Sequence, residues 1–226
     1  MQRIRRLIGE YKQFLVFVLC IILIRSAVVD WYAVPSGSMY PTVLIGDRVL
    51  SNRLAYDLKL PFTDIVIRHI ADPKRGDLVT FSSPEDGVRL VKRIVGVPGD
   101  VVEMHNDALT INGVDASYAA ASGEIATHFA PNDPEKQLVL NERILGHQRT
   151  VILLQQREAL RSFDRVTVPP DQYLVLGDNR DNSKDSRYIG FVRRELLSGQ
   201  VNRVVFSLDA DHFYLPRTER FWVSLS

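Results

Sequence analysis

Cysteine is almost absent from this chain: of 226 residues, Cys20 stands alone. That excludes an internal disulfide and any cysteine-based metal site. It does not exclude an extracytoplasmic domain; it means only that oxidation does not stabilise one. A surplus of one charge sign is also lacking. Lys and Arg number 28 against 27 Asp and Glu, a formal net charge of +1. Both signs are interspersed, so no global field recruits nucleic acid. Internal repeats and low-complexity tracts are missing. No apolar run reaches the length of a full membrane span either. The longest, Phe14–Ile24, extends through Arg25 and Ser26 to Val29. At ~1.5 Å per residue its uninterrupted part covers about 17 Å of the ~30 Å hydrocarbon core.

What flanks that run gives it a direction. Arg3, Arg5, Arg6 and Lys12 precede it against a single acid, Glu10, and Trp31 and Tyr32 follow. Basic residues before and aromatic residues after an apolar stretch are the signature of an anchor with its N-terminus in the cytoplasm. Arg25 must then reach its charge to the interface. The expected division is a basic tail over 1–12, a transmembrane anchor over 13–33 and an extracytoplasmic domain over 34–226. A cleaved secretory signal peptide and a buried helix of a soluble domain are the competing readings of the same residues.

Beyond the anchor the pattern is mainly β. Arg48–Asn52, Asp77–Phe81, Val88–Val97, Val101–Met104, Leu109–Ile111, Gln137–Leu140, Val166–Val168, Tyr173–Leu176 and Val201–Ser207 are short β-branched or alternating runs. Gly, Pro, Asn and Asp punctuate them. Asn112-Gly113 directly after Leu109-Thr110-Ile111 predicts a hairpin. Glu142–Leu145 and Thr150–Phe163 read as helical, the second with Val151, Leu154, Leu160 and Phe163 at apolar positions. His105, His128 and His147 are scattered through the central region, and no metal is assigned to them. No catalytic-looking cluster lies between Asn106 and about Arg165.

Three segments carry chemistry. Val34-Pro35-Ser36-Gly37-Ser38-Met39-Tyr40-Pro41-Thr42 places a serine at a Pro/Gly corner. A serine there is usually a turn residue or a helix cap. Arg89–Asp100 includes Leu90-Val91-Lys92-Arg93-Ile94-Val95, a strand that would send Lys92 and Arg93 to opposite faces. Judged alone, Lys92 would be a solvated edge lysine. Gly177-Asp178-Asn179-Arg180-Asp181-Asn182-Ser183-Lys184-Asp185-Ser186-Arg187 is rich in turn-forming Asx residues. It faintly suggests a calcium loop, but no D-x-[DN]-x-[DN]-G register ends in Glu. A serine nucleophile needs a base. No histidine lies near these segments, although His69 and His212 remain open because triads assemble in space. A lysine serves only when burial lowers its pKa until it is neutral.

In this order, behind an N-terminal apolar run, the three segments resemble the type I signal peptidases, membrane-anchored proteases with a Ser-Lys dyad. The resemblance covers most of 32–100 and 171–199 and fades over 102–168. It implies a β catalytic domain with an inserted β-rich region, about 105–168, behind one N-terminal transmembrane helix. It implies Ser38 as nucleophile, Lys92 as general base, and Ser36 as side-chain donor to the oxyanion beside the Ser38 amide. Ser183 then orients the lysine amine, and Arg93–Asp178 and Asp185–Arg187 are the structural ion pairs. Tyr32, Val34, Met39, Leu90 and Val91 match positions lining the substrate pockets. Arg89 and Thr80 depart from the family pattern, Arg89 where some members carry an acid and Thr80 where an apolar residue is common. The implied partners are secreted preproteins cut after small residues and the lipid of the plasma membrane, with no cofactor, metal or nucleic acid. The alternatives are a specialised conjugation-type processing peptidase with one dedicated substrate, and a catalytically silent, membrane-tethered binding paralogue.

Overall fold

Short β-branched runs broken by turn residues favour strands over helices, and the protein is mainly β. The computed structural model describes residues 2–63, 65–121, 137–209 and 212–225, with residues 2–10 and 23–24 described by backbone alone. Helix α1 (Gln2–Ala27) leads into β1 (Val29–Ala33), β2 (Asp47–Asn52), β3 (Asp57–Lys59), β4 (Val66–His69), β5 (Leu78–Ser82) and β6 (Arg89–Gly96). Then come β7 (Val101–His105), β8 (Ala108–Ile111), β9 (Val114–Asp115), β10 (Ser117–Ala120), β11 (Gln137–Ile144), β12 (His147–Leu154), β13 (Phe163–Thr167) and β14 (Gln172–Leu176). The one-turn helix α2 (Ser186–Ile189) precedes β15 (Val192–Arg193), β16 (Leu197–Asp209), β17 (Leu215–Pro216) and β18 (Val223–Ser224).

The main sheet runs β1-β2-β16-β5-β6-β14-β15, with β17 and β18 on β16. Its pairings are antiparallel, and β6 sits between β5 and β14. Two smaller sheets, β13-β7-β8-β9 and β10-β11-β12, fall within the central region. That region is therefore β-rich, as its short runs suggested. The Asn112-Gly113 hairpin forms: both residues have positive φ, 53° and 75°, and Ile111 faces Val114. This is the geometry a two-residue turn between twisted strands requires.

The helical expectations for Glu142–Leu145 and Thr150–Phe163 are overturned. Glu142 ends up in β11 and Thr150 in β12, paired with each other's strand around Leu145-Gly146. Both turn residues have positive φ, 47° and 82°. Cross-strand pairing of Val151 and Ile152 wins over a helical spacing that four apolar residues met by coincidence.

The segment expected to anchor the chain is divided. Its first part lies in α1, which is 26 residues long. Its last part, β1, joins the main sheet against β2. Phe14, Leu15, Phe17 and Leu19 are exposed. Among the described residues no helix is long and apolar enough to cross a membrane, because charged residues occupy the early turns of α1.

Candidate active site

β6 positions the site. Its neighbours Val79 on β5 and Ile94 within the strand are fully buried. Alternation along the pleat sends Lys92 to one face and Arg93 to the other. Lys92 is 2% exposed. Its Nζ reaches Ser38 Oγ at 2.6 Å and the Val91 carbonyl at 3.1 Å. Burial pulls the lysine pKa down to about 8; Asp185 and Asp178 push it back up and Arg187 lowers it further. Loss of water is the dominant cause, because no carboxylate touches the amine directly.

Ser38 is held by its neighbours in sequence and by the Gly177–Arg187 segment. Met39 and Val43 bury themselves in an apolar cluster with Val34, Val49, Leu78, Val201 and Val204. That fixes the chain on the C-terminal side of Ser38. The Ser38 carbonyl accepts from the Asn179 amide at 3.1 Å, and the Gly37 carbonyl accepts from Asn179 Nδ2 at 3.0 Å. Asn179 and the turn around Ser38 are thus one unit, although they are 141 positions apart in sequence. Gly177 permits the contact. A Cβ there would lie 2.2 Å from Ser183 Oγ and 2.6 Å from the Ser38 carbonyl oxygen.

The two anticipated ion pairs both form. Asp178 receives Arg93 Nε at 2.9 Å and Nη2 at 2.7 Å, and Thr42 Oγ1 at 2.6 Å. Asp185 receives Arg187 Nε and Nη2, each at 2.8 Å, and the Gly177 amide at 3.0 Å. Ser183 is buried beside Gly177. Its Oγ makes no hydrogen bond with any described residue, so the contact expected between Ser183 and the lysine amine is not formed. Close packing against Gly177 explains its placement instead. His69 lies against Asp57 and Arg194, and His212 against Asp209. Neither bonds to Ser38 or Lys92.

Tyr32, Val34, Met39, Leu90 and Val91 all line one cleft of about 490 Å³ with Ser36, Ser38 and Lys92. Ser36 is exposed at its mouth. Arg89 lines the same cleft; its guanidinium lies 4.6 Å from the Tyr32 ring centre and 3.7 Å from Asp30. Thr80 is fully buried and bonds to Ser51 Oγ at 3.0 Å, outside the cleft.

Sequence reasoning passed over the residues that hold the Gly177–Arg187 segment from behind. Ile152 on β12 donates its amide to the Asp178 carbonyl at 2.8 Å, and Leu154 donates to Asp181 at 2.7 Å. Arg180 is 1% exposed and bonds Glu142 of β11, whose other oxygen accepts from Arg149 of β12. Burial pushes the Glu142 carboxyl up, but Arg180 and Arg149 outweigh it and hold the pKa at about 2. Glu142 stands between Asn141 and Arg143, and Arg149 between Gln148 and Thr150, so no local pattern marked either as buried.

A family model described as signal peptidase, peptidase S26, matches residues 7–206. Signal peptidase I of Pseudomonas fluorescens is 35% identical over 185 residues, covering 80% of this chain and 63% of that protein. Signal peptidase I of Buchnera aphidicola subsp. Baizongia pistaciae is 32% identical over 235 residues, covering 87% and 76%. Signal peptidase I of Rickettsia typhi is 35% identical over 217 residues, covering 88% and 80%. The match to the Pseudomonas fluorescens protein thus falls short of two thirds of its length.

Proposed function

We propose that this chain, which belongs to the signal peptidase family of S26 peptidases, is a serine endopeptidase that removes signal peptides from secreted preproteins. One observation carries the reading: a lysine amine buried to 2% exposure lies 2.6 Å from a serine hydroxyl at the floor of a cleft. With Lys92 neutral, that contact runs from the Ser38 hydroxyl to Nζ. Ser38 Oγ attacks the scissile carbonyl as its proton passes to Lys92. The oxyanion forms between the Ser38 amide and the Ser36 hydroxyl. Lys92 then protonates the leaving amine and later activates the water that releases the acyl group. Ser183, buried beside Gly177, matches the family's lysine-orienting serine by resemblance alone.

The substrate peptide lies extended in the cleft. Among the described residues, 89–91 of β6 pair with β5 alone, and β1 pairs with β2 alone. Each therefore offers a strand edge to a peptide backbone. Val34, Met39 and Leu90 narrow the cleft to small side chains, favouring Ala-x-Ala. The exposed apolar side chains of α1 and the basic residues before them support a membrane anchor with a cytoplasmic N-terminus and an extracytoplasmic site. Incubating a purified test preprotein with wild type and with Ser38→Ala decides the matter. Cleavage by wild type alone is the expected result; no cleavage by wild type, or equal cleavage by both, overturns it.

A further inference from the structure

Arg93 leaves β6 on the face opposite the cleft, and there it meets a second cavity of about 400 Å³. Lys74, Arg75, Asp77, Arg93, His147 and Arg149 are the charged or titratable groups lining it. With Arg180 behind it, four guanidinium groups and the Lys74 ammonium stand against four carboxylates, Asp77, Asp100, Asp178 and Glu142. Asp100 takes Arg75 Nη2 at 2.6 Å, and Asp178 takes Arg93. Asp77 is already held by Tyr56 Oη, the Lys74 amide and Gln200, at 2.8–2.9 Å. Glu142 takes Arg149 on one oxygen and Arg180 on the other, so two deeply buried guanidinium groups divide one carboxylate. The donors record the same shortfall. Arg75 Nε and Arg149 Nη1 are shielded from solvent and make no hydrogen bond with any described residue, while Arg149 Nη2 lies against Glu142. The side chain of Arg149 is 4% exposed.

We infer that this cavity binds a phosphate group, with Arg149 and Arg75 as the principal donors and Lys74 at the rim. Two buried guanidinium groups that divide one carboxylate leave positive charge uncompensated, and guanidinium groups match the oxygens of a phosphate two at a time. A phosphate entering the cavity supplies acceptors to Arg149 Nη1 and Arg75 Nε. The electrostatics agree: burial lowers the pKa of Arg149, with Glu142 opposing and Arg180 adding to the fall. Burial lowers that of His147, with Arg75 and Arg149 adding to it. The phosphate comes either as the free ion or as a lipid headgroup.

The test is calorimetric titration of the full chain, purified in a neutral detergent without phosphate. Inorganic phosphate and short-chain phosphatidic acid are the two probes, with sodium chloride at matched ionic strength as the reference. Saturable binding of inorganic phosphate identifies the free ion, and binding of phosphatidic acid alone identifies the headgroup. Arg149→Met is expected to abolish binding. Lys74→Ala, at an exposed position that the fold does not need, is expected to weaken it about threefold to tenfold. Arg75→Gln is expected to weaken it further. Wild type that binds neither probe beyond the chloride reference overturns the site. So does binding that survives unchanged in both Lys74→Ala and Arg75→Gln.

Discussion

Lys92 illustrates how burial sets both reactivity and stability at one residue. Its pKa falls from 10.5 to about 8 because the amine loses water. As the proposed base it acts only when neutral, so kcat/KM for a test preprotein should rise with pH and level off above about 8. A rate independent of pH between 6 and 9 would remove lysine from the mechanism. Lys92→Arg, which cannot deprotonate, should be inactive. The same shift acts on folding. Between about 8 and 10.5 the folded chain holds fewer protons than the unfolded one, so stability rises with pH across that window. At pH 7 the buried lysine costs stability in full. Lys92→Met should therefore be inactive yet more stable than wild type at pH 7, by up to about 3 kcal/mol. The gap should close toward pH 10.5, as thermal unfolding at several pH values would reveal. Ser36→Ala should lower kcat by about 10²–10³, because one oxyanion donor is worth that much. Ser36→Thr keeps a hydroxyl and should retain more activity.

Among the elements, the β11–β12 hairpin matters more than its place in the central region suggests. Its Glu142 and Arg149 meet Arg180 in the interior, and its Ile152 amide holds Asp178. Glu142→Gln leaves two buried guanidinium groups without a carboxylate and should cost about 3–5 kcal/mol by chemical denaturation. In wild type this contribution is complete above the ordinary carboxylate pKa, near 4.5, and is lost as pH falls toward about 2. Gly177 is the other element-level constraint. Gly177→Ala places a methyl within 2.6 Å of both Ser183 Cβ and the Ser38 carbonyl oxygen. Backbone rather than a flexible side chain must move, so Ser38 shifts and turnover should fall by roughly 10²-fold. Unchanged kcat in that variant would mean that the contact around Gly177 relaxes without moving Ser38.

At the scale of the molecule, α1 and the main sheet place the cleft close to the chain's apolar end. Ser38 follows Ala33, the last residue of β1, by five positions in sequence. On the proposed function, a site so near α1 meets a peptide that has just left a membrane, and protease added to intact spheroplasts should digest the chain beyond Asp30. Protection of that region until the membrane is broken would reverse the proposed topology. The exposed apolar face of α1 should also keep the full chain in the detergent-soluble membrane fraction after an alkaline wash.

The residues themselves determined the β class and the Asn112-Gly113 hairpin, because turn chemistry and strand alternation are local properties. The proposed reactive groups were singled out by the family resemblance and not by any local pattern. The opposite faces of Lys92 and Arg93 follow from the two-residue pleat alone. Only tertiary structure decided that Lys92 is buried rather than solvated at a strand edge, since burial depends on Val79, Met39 and the Gly177–Arg187 segment arriving from distant parts of the chain. Tertiary pairing also turned the helical-looking Thr150–Phe163 toward β structure, because strand partners outweigh weak periodicity. It brought Glu142 to Arg180 across 38 positions. A buried charge chooses its partner by where the core leaves room, and no local pattern records that choice.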